Sequence, residues 1–150
     1  MAQNQKPEQI RLTVPSCLTY VKPIQGFIGQ LAYQLGFCRS RVQDIELAID
    51  ELCGNAIEHG SRTVDAGIDL TITLQANALE ILISDRGGKV KANWLTDGRL
   101  DEVDRQRAPN SERGHGLYIA QQLSEVLELR PNSFGGTDVR AVFVLKGRDG

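Results

Sequence analysis

Two runs of alternating apolar residues, separated by a few polar ones, constrain this chain more than any other feature. In "GIDLTITLQANALEILISDRGG", Ile68, Leu70, Ile72 and Leu74 alternate with polar residues, and Leu79, Ile81 and Ile83 resume the alternation beyond a short connection containing Asn77. A period of two puts each apolar set on one face of a sheet, and so short a connection joins only antiparallel strands. The stretch therefore reads as a β-hairpin. Two further segments share the period: "QIRLTV", with Ile10, Leu12 and Val14 ended by Pro15-Ser16, and the C-terminal "GGTDVRAVFVLKG", with Val139, Ala141, Phe143 and Leu145.

Between the strands the period changes. After Pro23, Ile24, Phe27, Ile28, Leu31 and Leu35 recur at helical spacing, and Gly36 is placed to stop the run. "SRVQDIELAIDELCGNAIEHG" predicts a second helix with Ser40 as N-cap and Val42, Ile45, Ile49, Leu52, Cys53 and Ala56 on its apolar face. "GHGLYIAQQLSEVLEL" predicts a third, gathering Leu117, Ala120, Leu123, Ser124 and Leu127 on one side. Residues 89 to 113 are charge-rich and weakly periodic, with Trp94, Leu95, Leu100 and Val103 as apolar anchors, which suggests a functional loop or lid. Strand, helix, helix, hairpin, lid, helix, strand is not a repeating βαβ unit. The order predicts an α+β two-layer sandwich, a mixed, mainly antiparallel sheet with helices on one face.

Composition narrows the class. The 150 residues suffice for one domain with its own core, and 41% hydrophobic and 24% charged residues with a formal net charge of -2 describe a soluble globular protein. No apolar run reaches membrane-spanning length. Lys and Arg are interspersed with Asp and Glu, leaving no basic stripe for phosphate backbones, so direct nucleic-acid binding is not expected. Cys17, Cys38 and Cys53 form no CxxC pair and read as buried small residues in a reducing cytoplasm. The N-terminus carries no secretory pattern.

Three polar stations interrupt this plan. Glu51 and Asn55 sit one turn apart at the edge of the second helix's apolar face, with His59 one turn further. A carboxylate can bind a cation or accept a proton, and a carboxamide offers a neutral oxygen to a hard metal. The alternative is a pair of solvated polar residues, with His59 and Gly60 capping the helix. Asp85 ends an apolar strand and precedes Gly87 and Gly88. Its carboxylate suits an exocyclic amine such as adenine's, or simply an Asp-Gly turn. Gly114 and Gly116, after Arg113, open a helix whose first amides can attract phosphate or merely hinge the chain. No Walker A stretch occurs, and the HRD and DFG sequences of eukaryotic-type protein kinases are missing.

Taken in order, Glu-x-x-x-Asn on a helix, Asp-x-Gly after a hairpin, a lid, Gly-x-Gly before a helix, and Gly135-Gly136-Thr137 before a final strand resemble the GHKL ATPase superfamily. The pattern extends from about Ile10 to Leu145. The stretches "ELCGNAIEHG" and "ERGHGLYIAQQLSEVLEL" look most like the anti-sigma-factor serine/threonine kinases of bacterial partner-switching systems. The resemblance implies a single ATP-binding kinase domain over residues 1–150, with 1–8 as a flexible tail. It implies Mg2+ held by Asn55, Glu51 as general base, Asp85 and Gly87 at adenine, Gly114 and Gly116 around the phosphates with Arg113 facing them, and Thr137 as a second adenine contact. His59 would pack or cap, and His115 would shape the glycine turn. Where the family often has a further glycine, Lys89 stands here, directly after Gly88. The implied substrates are ATP and a small anti-anti-sigma-type antagonist protein. The implied partners are a sigma factor or another regulatory target and a second copy of the chain in a homodimer. A nucleotide-dependent sequestering module without phosphoryl transfer is the competing expectation.

Overall fold

The structure, a computed structural model, describes residues 6–60, 66–87 and 116–146. Five strands, β1 (Glu8–Val14), β2 (Ile68–Leu74), β3 (Ala78–Asp85), β4 (Val126–Pro131) and β5 (Thr137–Val144), form one sheet in the order β1-β2-β3-β5-β4. Every pairing within it is antiparallel. The expected hairpin is β2–β3, with Leu70 opposite Ile83 and Ile72 opposite Ile81.

The register sorts side chains into rows across the sheet. Ile10, Ile72, Ile81, Ala141 and Leu127 form one row, and Leu12, Leu70, Ile83, Val139 and Leu129 the next, all toward the helices. The intervening rows face the other way and are more polar. There Arg140 lies 3.1 Å from Glu80 and 3.0 Å from Glu128 across three strands. Such half-exposed pairs contribute at most about 1 kcal/mol each and chiefly keep this face wet.

Three helices cover the apolar face: α1 (Val21–Leu35), α2 (Arg39–Asn55) and α3 (Gly116–Leu123). Helix α1 starts two residues before Pro23, which a first helical turn tolerates because its amides lack intrahelical acceptors. It ends where expected. Gly36 adopts φ +112°, its amide donates to Tyr33 O and the Phe37 amide reaches Ala32 O, a closure that turns Phe37 into the core. Helix α2 has Cys38 rather than Ser40 at its N-cap, with no side-chain cap bond. Ile28, Ala32, Ile45, Ile49, Leu52 and Ala120 meet Leu70, Ile72, Ile81, Ile83 and Phe143 in the core.

Helix α3 is shorter than its periodicity predicts. It stops at Leu123, and "VLELRP" becomes β4, paired with β5, so Leu127 reaches the core from a strand. Four contacts, made by two side chains and one amide, fix the break. The Ser124 amide and hydroxyl both donate to Ala120 O, and Arg41 of α2 donates to Leu123 O at 2.7 Å while pairing with Glu125 at 2.8 Å. All three cysteines are free, but only Cys53 is buried. Cys17 and Cys38 are half-exposed beside Thr19 and Ser40, whose hydroxyls and nearby amides lower both thiol pKa values.

Adjacent positions of β3 test the two-faced sheet. Ile81 is fully buried on the helix side, so Ile81→Ala should cost about 2–5 kcal/mol in urea unfolding. Leu82→Ala, on the other face, should cost roughly half as much or less.

Candidate functional site

Asp85 is the next residue in the core-facing alternation Leu79, Ile81, Ile83, so strand geometry turns a carboxylate toward the interior. Only 5% of it is exposed. Its Oδ1 accepts the Gly87 amide at 2.9 Å and the Thr137 amide at 3.1 Å, which ties the end of β3 to the start of β5. Among the described residues Oδ2 accepts no hydrogen bond, which leaves it for a ligand donor. Burial raises the Asp85 pKa, the two amides oppose that shift, and the charge of Asp138 adds to it.

Glycine is required around this carboxylate by space as well as by backbone angle. Gly87 has φ +71°, and a Cβ there would run into the backbone of Gly135 and Gly136. A Cβ on Gly136 would strike Asp85 and lie 2.6 Å from the Gly87 amide nitrogen. The two turns therefore touch backbone to backbone.

Asn132, which the sequence reading passed over, organises the second turn. Its Nδ2 donates to Asp85 O at 2.9 Å and Asp138 Oδ1 at 3.0 Å, and its Oδ1 accepts the amides of Phe134 at 3.0 Å and Gly136 at 2.9 Å. An Asn followed by a Gly-Gly pair is a turn signal that could have marked it. Beside it, the Arg86 guanidinium stacks 4.7 Å from the exposed Phe134 ring and pairs with Asp69 at 3.1 Å.

The second half of the site lies on α2. Glu51 and Asn55 are 8% and 9% exposed, so the solvated-edge alternative fails. The last turns of α2 are buried nearly all round, from Glu51 through Asn55, because α3 packs on the side that periodicity leaves polar. Gly116, the first residue of α3, rests on Glu51: a Cβ there would lie 2.5 Å from Glu51 Oε1 and 3.3 Å from its Cβ. Directly after Asn55 the helix widens into a π turn (Ala56–Gly60) that packs on β3, a distortion common at functional sites. His59 lies within that turn.

The structure thus joins Glu51 with Gly116, and Asp85 with Gly87 and Thr137. Arg113, Gly114, His115, Gly88, Lys89 and the 89–113 lid lie outside the described residues. No cluster of three or more His, Cys, Asp or Glu among the described residues could hold a metal ion. A cation here would depend on Asn55 and on oxygens brought by a ligand, as Mg2+ in phosphate sites commonly does. Chemically, Asp85 offers a buried hydrogen-bond acceptor, and the end of α2 offers a carboxylate one turn from a carboxamide.

The raised Asp85 pKa makes a signed prediction. The folded state holds that proton to a higher pH than the unfolded chain, so stability declines as pH rises from the ordinary carboxylate range through the raised value. Asp85→Asn keeps an oxygen for both amides and removes the buried charge. In thermal melts the variant should exceed wild type at pH 7, and the gap should close as the pH falls below the ordinary carboxylate range. A variant less stable than wild type at pH 7 would contradict this account.

Known proteins place the geometry in context. The chain is 26% identical over 141 residues to the serine-protein kinase RsbW of Bacillus pumilus, covering 87% of this chain and 83% of that one. It is 27% identical over 124 residues to RsbW of Bacillus cereus, covering 81% and 77%. The SiaB–SiaC complex of Pseudomonas aeruginosa contains a chain of the same fold, with TM-score 0.61, 14% identity and coverage of 95% and 94%. The structure of the RsbU and RsbW domains of a Mycobacterium tuberculosis protein matches with TM-score 0.65 at 21% identity over 92% of this chain, which spans 32% of that longer one. The signature of the histidine kinase-like ATPase domain matches residues 14–143, well over half the sequence. The chain belongs to the histidine kinase-like ATPase domain family.

Proposed function

We propose that the protein is a serine/threonine kinase that binds Mg-ATP and phosphorylates a small antagonist protein of the anti-anti-sigma type in a bacterial partner-switching pathway. The observation that carries the reading is Glu51, a carboxylate buried against the first residue of α3 and one turn from Asn55. A module that only holds nucleotide has less use for a base there. The RsbW names of its relatives support the same reading.

In this reading Asp85 Oδ2 accepts the adenine amino group, the touching backbones of Gly87 and Gly136 hold that carboxylate at the base, and Thr137 is the second contact at its edge. Asn55 would hold Mg2+ through its amide oxygen, and the bound ion would supply positive charge against the phosphates. Arg113, Gly114 and Gly116, which stand together in the sequence, are the residues assigned to the terminal phosphates. Glu51 takes the proton of the antagonist's Ser or Thr hydroxyl as that oxygen bonds to the γ-phosphorus. The bond from the γ-phosphorus to the bridging oxygen breaks, and ADP departs with its electron pair.

Phosphorylation adds close to two negative charges to the antagonist and expels it, which frees the kinase for a sigma factor or another regulatory target. The active unit is a homodimer in the cytoplasm. Among the described residues no helix is long and apolar enough to cross a membrane.

The test is phosphoryl transfer to antagonist candidates encoded in the same genome. Glu51→Gln keeps shape and loses the base, so transfer to the accepting Ser or Thr should fall by roughly a hundred- to ten-thousandfold while Mg-ATP affinity holds within a few-fold. Nucleotide binding with no transfer to any candidate would favour the sequestering module instead. Failure of the wild type to bind Mg-ATP would overturn both.

A further inference from the structure

We propose that Asn132 is a positioning residue for base selection, fixing the geometry in which Asp85 recognises a 6-aminopurine; the inference rests on the nucleotide reading above. The carboxamide has two donors and one oxygen able to accept twice, and all four capacities are used: toward Asp85 O, Asp138 Oδ1, Phe134 N and Gly136 N. Its orientation is therefore determined from four directions. Those partners belong to the end of β3, the β4–β5 turn and the start of β5, and the backbone adds Asn132 N to Gly136 O at 2.9 Å.

The consequence for Asp85 follows from what Asn132 grips. On one side it holds the Asp85 carbonyl. On the other it holds Gly136, whose neighbour Thr137 supplies one of the two amides that pin Asp85 Oδ1. The carboxylate's attachment to β5, through the Thr137 amide, thus directly follows a residue that Asn132 holds. With Oδ1 pinned, the carboxylate plane and the position of Oδ2 are fixed. A 6-amino group presents a donor to that oxygen, whereas the 6-carbonyl of guanine presents a second acceptor and is repelled. Freeing the turn lets the carboxylate rotate, and the contact that weakens is specifically the one to the 6-amino group.

This separates positioning from mere folding. Purine riboside 5′-triphosphate lacks the 6-amino group but keeps the ring, ribose and phosphates. Calorimetric titration of the whole protein with this nucleotide and with ATP, each with Mg2+, reads the preference directly. Wild type should prefer ATP on the order of tenfold, the worth of one hydrogen bond to a charged acceptor. Asn132→Ala should reduce that preference to about twofold or less by weakening ATP alone, leaving the analogue within about twofold of its wild-type affinity. Asn132→Ser, which loses both Nδ2 bonds, to Asp85 O and Asp138 Oδ1, provides the same comparison if the alanine variant melts near assay temperature.

Parallel loss of both nucleotides in a folded variant would assign Asn132 a structural role only and overturn the proposal. So would an intact preference for ATP. A wild type that binds both nucleotides equally removes Asp85 from base recognition and this proposal with it. A wild type that binds neither overturns the nucleotide reading itself, a failure visible before any variant is made.

Discussion

A carboxylate on the wrong side of a strand governs the rest of this molecule. The alternation that buries Leu79, Ile81 and Ile83 buries Asp85 by the same geometry, and a charge taken out of water must be compensated on the spot. Two backbone amides supply that, one from the turn after β3 and one from β5. Providing the second amide requires β5 to begin beside β3, the β4–β5 turn to touch the Gly87 turn, and glycine at 87 and 136 so that the backbones can approach. A strand order that places β5 between β3 and β4 satisfies all three requirements.

The α2 end of the site repeats this tension in a different form. Glu51 and Asn55 occupy positions where an aliphatic residue would pack at lower cost, and Gly116 leaves the space that Glu51 fills. Helix α2 is thus a core helix along most of its length and a polar platform at its end. Departures from local packing rules that gather at one end of a sheet and one end of a helix mark where stability is set against chemistry.

Much of this was legible in the sequence because the signals were local. The β2–β3 hairpin follows from the period-two runs Ile68–Leu74 and Leu79–Ile83, the Gly36 stop from one glycine, and the placing of Glu51 one turn before Asn55 from helical spacing. The end of α3 was not legible. "SEVLEL" satisfies both periods: Leu127 continues the helical stripe from Ala120 and Leu123, yet Leu127 and Leu129 also alternate with Val126, Glu128 and Arg130. Pairing with β5 and the bond from Arg41 to Leu123 O decide between them, and Arg41 lies 82 residues away in sequence. Burial of Glu51 was hidden for a related reason, since a helical wheel cannot show which neighbour covers its polar edge. Asn132 carried a turn signal, but its bond to Asp85 spans 47 residues.

The sheet consists of two local hairpins, β2–β3 and β4–β5, with β1 added at one edge, and the seam between β3 and β5 is where they join. Hairpins of this kind form in about 1–10 μs, whereas a seam joining distant segments waits on closure of the long intervening loop. The Asp85–Thr137 bond crosses 52 residues at that seam, so the pinned carboxylate does not exist in either hairpin alone. A ligand bound at that carboxylate as proposed would favour the joined sheet and shift the folding equilibrium by mass action. For this protein, the bond that pins the buried carboxylate is therefore also a report that the two hairpins have joined.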